Sequence, residues 1–427
     1  MNTEPEQSKY FYGWVIVSVG AILTFLGTGF YSYSRGVFLP SLAEELAQGS
    51  RFQIAMGFSV AAVTGAFLAP VLGRILDRNS PKRVILVGIG FVGLSYLLLS
   101  MTETIVQFYL VIGLGMGIGM MCMGNLAWHR TVISWFDHWR GRAIALGVLG
   151  ASLAGVIMPP LVTALVETIG WRSAFVVFAA TTVTVLVPLV IFLLKDRPEE
   201  IGEVRDGHRY VSTLSEPLFD DGAEDRLWHW TEMLKTRAFW SIALMFGSMG
   251  CVYSATMLHL FGHIKDIGLT ASDAAYVLSI TALFAALGKP VVGWMADAWG
   301  ARVTIWMALV AQGLALLVFA YTQTIVISLL AGSLYGFGYA GMSPLRTFAL
   351  SVAIGNRSFG NANGVLRIVE LPLVISASPL AGWVYDATGS YKIAFLILAG
   401  LMAVSCLGPF FIQAGGAKAR RSSRIET

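Results

Sequence analysis

Apolar residues run along this chain in long unbroken stretches, with polar and charged positions collected between them. Twelve stretches are long enough to cross a bilayer, at approximately 12–40, 53–73, 83–101, 106–134, 142–166, 171–194, 237–262, 273–294, 302–321, 325–351, 362–386 and 391–413. A crossing helix needs about 20 apolar residues. The stretches are apolar on all sides and rich in Gly, Ala, Leu and Val. A transmembrane β-barrel would show segments of about 10 residues with alternating polarity. The pattern therefore predicts an all-α integral membrane protein of twelve helices, each satisfying its own backbone groups.

Composition sharpens this expectation. Of 427 residues, 56% are hydrophobic and 13% charged, against about 45–50% and about 25% in soluble domains. This excludes a cytosolic enzyme, a nucleic-acid binder and a disordered chain. The N-terminus does not read as a signal peptide, because it carries Glu4 and Glu6 and its first apolar run is too long for a cleaved segment. Cys122, Cys251 and Cys406 fall in separate apolar runs and offer no disulfide framework or metal spacing.

With the N-terminus inside, 20 of the 29 Lys and Arg residues fall in inner loops and tails, including Arg357, Arg420 and Arg421; Arg51, Arg172, Lys265 and Lys392 fall outside. That asymmetry predicts cytoplasmic termini in a bacterial-type inner (plasma) membrane. The net charge of +4 then needs no nucleic-acid partner. The longest polar stretch, 195–236, holds Asp220 and Asp221 and reads as a cytoplasmic linker. It divides the chain into a six-helix bundle at 1–194, a second at 237–413 and a basic tail at 414–427.

The two halves repeat one another. Gly73-Arg-Ile-Leu-Asp77 is echoed by Gly293-Trp-Met-Ala-Asp297 at a spacing of 220, and Arg130-Thr131 by Arg346-Thr347 at 216. Gly147-Val-Leu149 matches Gly364-Val-Leu366 at 217, and Ala174-Phe175 matches Ala394-Phe395 at 220. Four matches in helix order indicate duplication, the plan of transporters that rock two halves about a midplane site.

The loops Gly73–Arg83 and Gly293–Arg302 resemble the signature loops of the major facilitator superfamily, the first departing at Ser80, where that family usually has Gly. The resemblance implies the major facilitator fold, two pseudo-symmetric six-helix bundles, with Asp77 and Asp297 as gate residues. Tyr12-Gly-Trp14, Trp135-Phe-Asp137, Arg140-Gly-Arg142, Arg197-Pro-Glu-Glu-Ile-Gly202 and Pro379–Tyr391 resemble the oxalate/formate antiporter and monocarboxylate transporter group.

Five basic residues lie within the apolar runs: Arg35, Arg130, Lys289, Arg346 and Arg367; Glu370 is the carboxylate clearly among them. A charge at a helix centre costs at least about 2.5–3.5 kcal/mol, so such residues usually face the interior or water. A cavity with this balance attracts an anion. Lys289 stands eight residues before Asp297, about 12 Å along the helix and near mid-membrane. The monocarboxylate group has at the matching position an Arg that binds the substrate carboxylate. That group's Asp one turn earlier is Ala285 here, so its usual proton-coupling pair is broken. Glu370, at i+3 from Arg367, can pair with it locally or carry a coupled proton, and His129 can titrate beside Arg130. Arg130 and Arg346 are pseudo-symmetric, which suggests gate roles. The resemblance places Tyr33 on the group's external Lys, so Tyr33 or Arg35 is expected to touch an entering anion. Asn125, Tyr253, Phe337 and Tyr339 are candidates to shape the pocket, with ordinary packing as the alternative for each.

His259 and His263 have the i, i+4 metal spacing but no third ligand nearby, so no metal is expected. The run Gly113-Leu-Gly115-Met-Gly117-Ile-Gly119 is not a phosphate loop; it offers small-xxx-small registers for helix packing. There is no Walker motif, no catalytic constellation and no cofactor signature. The expected function is secondary transport of small organic monoanions (monocarboxylates) by alternating access, by proton symport or anion exchange, in a monomer embedded in lipid. The alternatives are an exporter of amphipathic compounds on the same fold, and a non-transporting membrane sensor.

Overall fold

The computed structural model describes residues 11–207, 228–355 and 358–411. Asp220, Asp221, Arg357, Arg420, Arg421 and the 414–427 tail lie outside the described residues, as does the side chain of Asp77. All regular structure among the described residues is helical.

The first half holds α1 (Gly13–Thr28), α2 (Arg35–Leu46), α3 (Arg51–Arg78), α4 (Pro81–Ser100), α5 (Ile105–Leu110), α6 (Gly117–Met123), α7 (Asn125–Trp135) and α8 (Arg140–Leu193). The second holds α9 (Trp230–Met233), α10 (Arg237–Asp266), α11 (Ala271–Trp299), α12 (Ala301–Tyr321), α13 (Ile325–Ala340), α14 (Met342–Ile354), α15 (Phe359–Thr388) and α16 (Lys392–Ser405). Eleven helical segments among the described residues are long and apolar enough to cross a membrane. One of them, α8, has 54 residues and breaks at Gly170 (φ 77°, ψ 163°), a left-handed φ that favours glycine. At 1.5 Å per residue it is about 80 Å long, enough for two crossings, and it brings the spans to twelve.

Contacts divide the chain into two units: Met1–Arg35 with Val60–Leu218, and Gly36–Ser59 with Phe219–Thr427. The segment 36–59, from the first sequence repeat, therefore packs with residues of the second.

In the first unit, α1 and α4 pack on α8. Close approach is made by glycines: a Cβ on Gly150 would lie 1.9 Å from the Ala21 carbonyl oxygen, and on Gly147 2.2 Å from the Trp128 ring. The glycine run of the fourth span works in two registers. Cβ atoms on Gly113 and Gly117 would meet Val60 and Thr64 of α3, while those on Gly115 and Gly119 would meet Ser95 and Val92 of α4. In the second unit, α11 packs on α13, where a Cβ on Gly336 would lie 2.1 Å from the Thr281 carbonyl oxygen.

Two spans are interrupted at corresponding places. The fourth contains a π-turn at Val111–Met116 and breaks at Gly124, whose extended backbone (φ −74°, ψ −170°) ends α6 and starts α7 at Asn125. A Cβ on Gly124 would sit 2.5 Å from the Met120 carbonyl oxygen. The tenth is divided at Gly341, between α13 and α14, with that glycine keeping a helical backbone (φ −72°, ψ −16°). The two glycines are 217 residues apart, the interval of the repeat. Interrupted helices at matching positions of two halves are a mark of transporter binding regions.

Candidate functional site

In the second unit, α10, α11, α13, α14 and α15 carry most of the candidate residues. Glu370 on α15 is buried, 6% exposed, and its Oε2 accepts from Arg346 Nη1 at 3.0 Å, across from the start of α14. Its ion pair is thus with Arg346 of the neighbouring helix rather than with Arg367 of its own, because α15 turns Arg367 outward into an exposed position while Glu370 points into the packing. Glu370 also closes on α10, where a Cβ on Gly247 would lie 3.2 Å from its Cγ. Glu370 Oε1 and Arg346 Nε and Nη2 are buried and have no hydrogen-bond partner among the described residues. Buried polar groups are nearly always paired, so three orphans on one ion pair need an explanation.

Further along the same helices, the rings of Tyr253 (α10) and Tyr339 (α13) stack with centroids 4.1 Å apart and planes 9° apart. Both are half-buried, as is Phe337. On α11, Gly288 packs against Ala340 and Phe337, 2.7 and 3.3 Å from where its Cβ would stand. The next residue, Lys289, is exposed and has no ion-pair partner among the described residues. Asp297 is exposed at the end of α11.

In the first unit, Asn125 opens α7, and its Oδ1 accepts from Trp128 Nε1 at 3.2 Å. His129 lies edge-on to Trp128 at 4.6 Å, with Nε2 buried and without a hydrogen-bond partner among the described residues. Tyr33 ends the π-turn Gly29–Tyr33, and Arg35 begins α2 with its Nε buried and without a hydrogen-bond partner among the described residues. Arg130 is exposed and lines a cavity of about 670 Å³ together with Arg78, Ser80, Ser134, Asp196, Arg197 and Arg205. The structure therefore brings Tyr253 with Tyr339 and Arg346 with Glu370; Arg346 belongs with the buried carboxylate.

The resemblance motifs of the first half meet at one end of the first unit. Phe11, Tyr12 and Trp14 pack against Trp135 and Phe136 with centroids 5.2–5.9 Å apart. Trp135 Nε1 donates to the Lys195 carbonyl at 2.9 Å, and the Tyr12 N–H donates to Glu203 at 3.1 Å. Asp206 accepts from the N–H groups of Asp137 and His138 at 3.0 and 2.7 Å. The departure at Ser80 has a local cause. Ser80 caps α4, accepting from the Arg83 N–H at 3.3 Å, and its hydroxyl bonds Asp196, which also accepts from the Lys82 N–H at 2.9 Å.

Sequence reasoning missed a polar cluster in the second unit. Arg51 at the start of α3 forks onto Asp266 at 2.7 and 2.9 Å and lies over the Tyr385 ring at 3.7 Å. Its Nη1 also donates to the Tyr391 hydroxyl at 2.8 Å. The Tyr391 hydroxyl also hydrogen-bonds Nδ1 of His259 at 2.9 Å, and the other ring nitrogen, Nε2, donates to the Ser378 carbonyl at 2.8 Å. His263 bonds the Phe319 carbonyl at 2.8 Å. Both histidines are tied into helix packing. Arg51 reads in sequence as one more loop charge, and only the Asp386-Ala-Thr-Gly-Ser-Tyr391 turn hints at its partners.

Membrane-crossing apolar helices, a duplicated order and interrupted spans holding ionisable side chains have the plan of a multi-pass membrane transporter. The chain belongs to the Major Facilitator Superfamily, whose sequence model matches residues 24–376. Monocarboxylate transporter 13 of Rattus norvegicus is 24% identical over 96% of this chain and 92% of its own length. The MFS-type transporter YcxA of Bacillus subtilis is 22% identical over 90% and 92%. Among solved structures, the nucleoside transporter NupG has the same fold with a TM-score of 0.72 at 15% identity, covering 93% of this chain and 99% of that one. An inward-facing bacterial homolog of the human lysosomal transporter Spinster gives 0.71 at 12% identity, covering 95% and 97%.

Proposed function

We propose that this transporter moves small organic monoanions, monocarboxylates above all, across the cell's inner membrane by alternating access as a monomer. The observation that carries the reading is Lys289. It is an exposed ammonium without an ion-pair partner among the described residues, held deep within the α11 span beside the close contact at Gly288. An intramembrane cation is costly and marks a substrate or ion path. Relatives bearing the name monocarboxylate transporter support the choice of anion. Lys289 neutralises the carboxylate as a point charge, without the two-pronged fork of an Arg. The stacked Tyr253 and Tyr339, with Phe337, offer an apolar wall with phenolic edges, and Asn125, Tyr33 and Arg35 are the proposed substrate contacts of the first unit. Asp77 and Asp297, with Arg130, guard the cytoplasmic end. Glu370 carries a coupled proton.

Uptake of radiolabelled lactate, pyruvate and benzoate into proteoliposomes tests the reading. Lys289→Gln is expected to cut uptake at least tenfold while leaving the purified protein folded. Wild-type uptake with an unchanged substrate profile would overturn the site.

A further inference from the structure

We infer that Arg346 is a second carboxylate-binding residue, and that Glu370 occupies it as an internal stand-in for the substrate until a proton releases it. This rests on the monocarboxylate reading above.

The geometry carries it. A guanidinium in an ion pair with one carboxylate oxygen still presents Nε and Nη2 N–H groups, an edge that binds a second planar carboxylate side-on. In Arg346 that edge is buried without a hydrogen-bond partner among the described residues, as is the remaining oxygen of Glu370. The pair is made through single atoms, Nη1 and Oε2, rather than as a double fork. The arginine side chain remains 13% exposed against 6% for the glutamate, so it is the more open member. It sits five residues after Gly341, the boundary between α13 and α14.

The surroundings leave few other charges to answer for a titration here. From its own helix Glu370 feels Arg367. From α14 it meets Arg346. Helix α10 faces it with Gly247, and its nearest titratable groups are Cys251 and Tyr253, one to two turns on. Helix α9, with Glu232, abuts α15 only near its start, where the Trp228 N–H donates to Ser358 at 2.8 Å. Helix α16 carries Lys392 at its first position, far along the fold from Glu370.

The exchange balances. Deprotonated Glu370 holds Arg346, and the pair is neutral. A proton taken from water along the path neutralises Glu370, which lets go. A substrate carboxylate then takes its place on Arg346, restoring a neutral pair. One proton and one monoanion enter together and leave together.

The test is thermal unfolding of the full-length protein in detergent, titrated with lactate and with benzoate between pH 5.5 and 8, where both probes stay ionised. Wild type is expected to gain apparent affinity by up to tenfold per pH unit of acidification, the slope of one linked proton. Glu370→Gln is expected to bind with a flat pH profile at the level wild type reaches in acid. Arg346→Gln/Glu370→Gln, which removes both charges and leaves no buried ion alone, is expected to unfold at the wild-type temperature and to lose at least tenfold in affinity at every pH. A wild-type pH slope retained in Glu370→Gln, or wild-type affinity in the double variant, overturns the inference. Binding by wild type with a flat pH profile sinks it while leaving Lys289 standing. No binding of either probe to wild type removes both.

Discussion

Single side chains here do work that their neighbours in sequence do not reveal. Arg51 combines a forked ion pair with Asp266, a ring beneath it and the Tyr391 hydroxyl. Lys in its place keeps the charge but loses the fork and the flat stacking face. Its pair is intermediate in exposure, between surface pairs worth about 0–1 kcal/mol and buried ones whose rupture costs about 3–5 kcal/mol. Arg51→Ala is expected to destabilise the protein by about 2 kcal/mol and Arg51→Lys by less, read as a lowered unfolding temperature. Ser80→Ala is a milder case. Losing an N-cap hydroxyl costs about 1 kcal/mol, and the Asp196 contact goes with it, so the penalty is expected to exceed that of a cap alone. Ser80→Gly, the family's common residue, tests whether Asp196 or the cap matters more.

At the scale of elements, the helices are joined through glycine. Gly150→Ala puts a methyl group 1.9 Å from a backbone oxygen that no rotamer change can move. That variant is expected to push α1 from α8 and to yield little folded protein, whereas Gly400→Ala, with nothing within 4 Å, is expected to be neutral by size-exclusion profile and unfolding temperature. The spans themselves were legible because an apolar run of bilayer length has few other uses. Their interruptions were not. Gly124 and Gly341 lie in runs where glycine equally serves packing, as Gly113 to Gly119 do, and hydropathy cannot tell a break from a close approach. The partner of Glu370 was hidden for a related reason. An i, i+3 spacing points to Arg367, but the facing of α15 against α14 decides which arginine is within reach, and that is a property of packing.

For the whole molecule, duplication and the signature loops made the fold readable from sequence, and the linker motifs proved to be a single structural junction, binding Tyr12, Trp135, Asp137 and Ser80 to residues 195–206. Ligand class is a property of this scale, since substrate binding stabilises the whole folded state. A monocarboxylate at about 100 times its dissociation constant is expected to add about 2.7 kcal/mol to the folded protein, seen as a rise in unfolding temperature that neutral analogues of the same size do not produce. Stabilisation by bulky hydrophobic cations alone would favour an exporter of amphipathic compounds.

The start of α3 also dates its own completion. Asp386 accepts from the N–H groups of Arg51 and Phe52 and from the Ser50 hydroxyl, at 2.9, 3.1 and 2.7 Å, capping a helix 335 residues upstream of itself. At about 5–20 residues per second of synthesis, roughly 15 seconds to a minute pass between the emergence of that helix and the arrival of its cap. Until Asp386 is made, the Arg51 and Phe52 N–H groups lack this acceptor, and the Ser50 hydroxyl, which accepts from the Gln53 N–H at 3.3 Å, is the local cap. The last quarter of the chain thus finishes a helix that was laid down near its beginning, and a ribosome stalled before Asp386 leaves it unfinished.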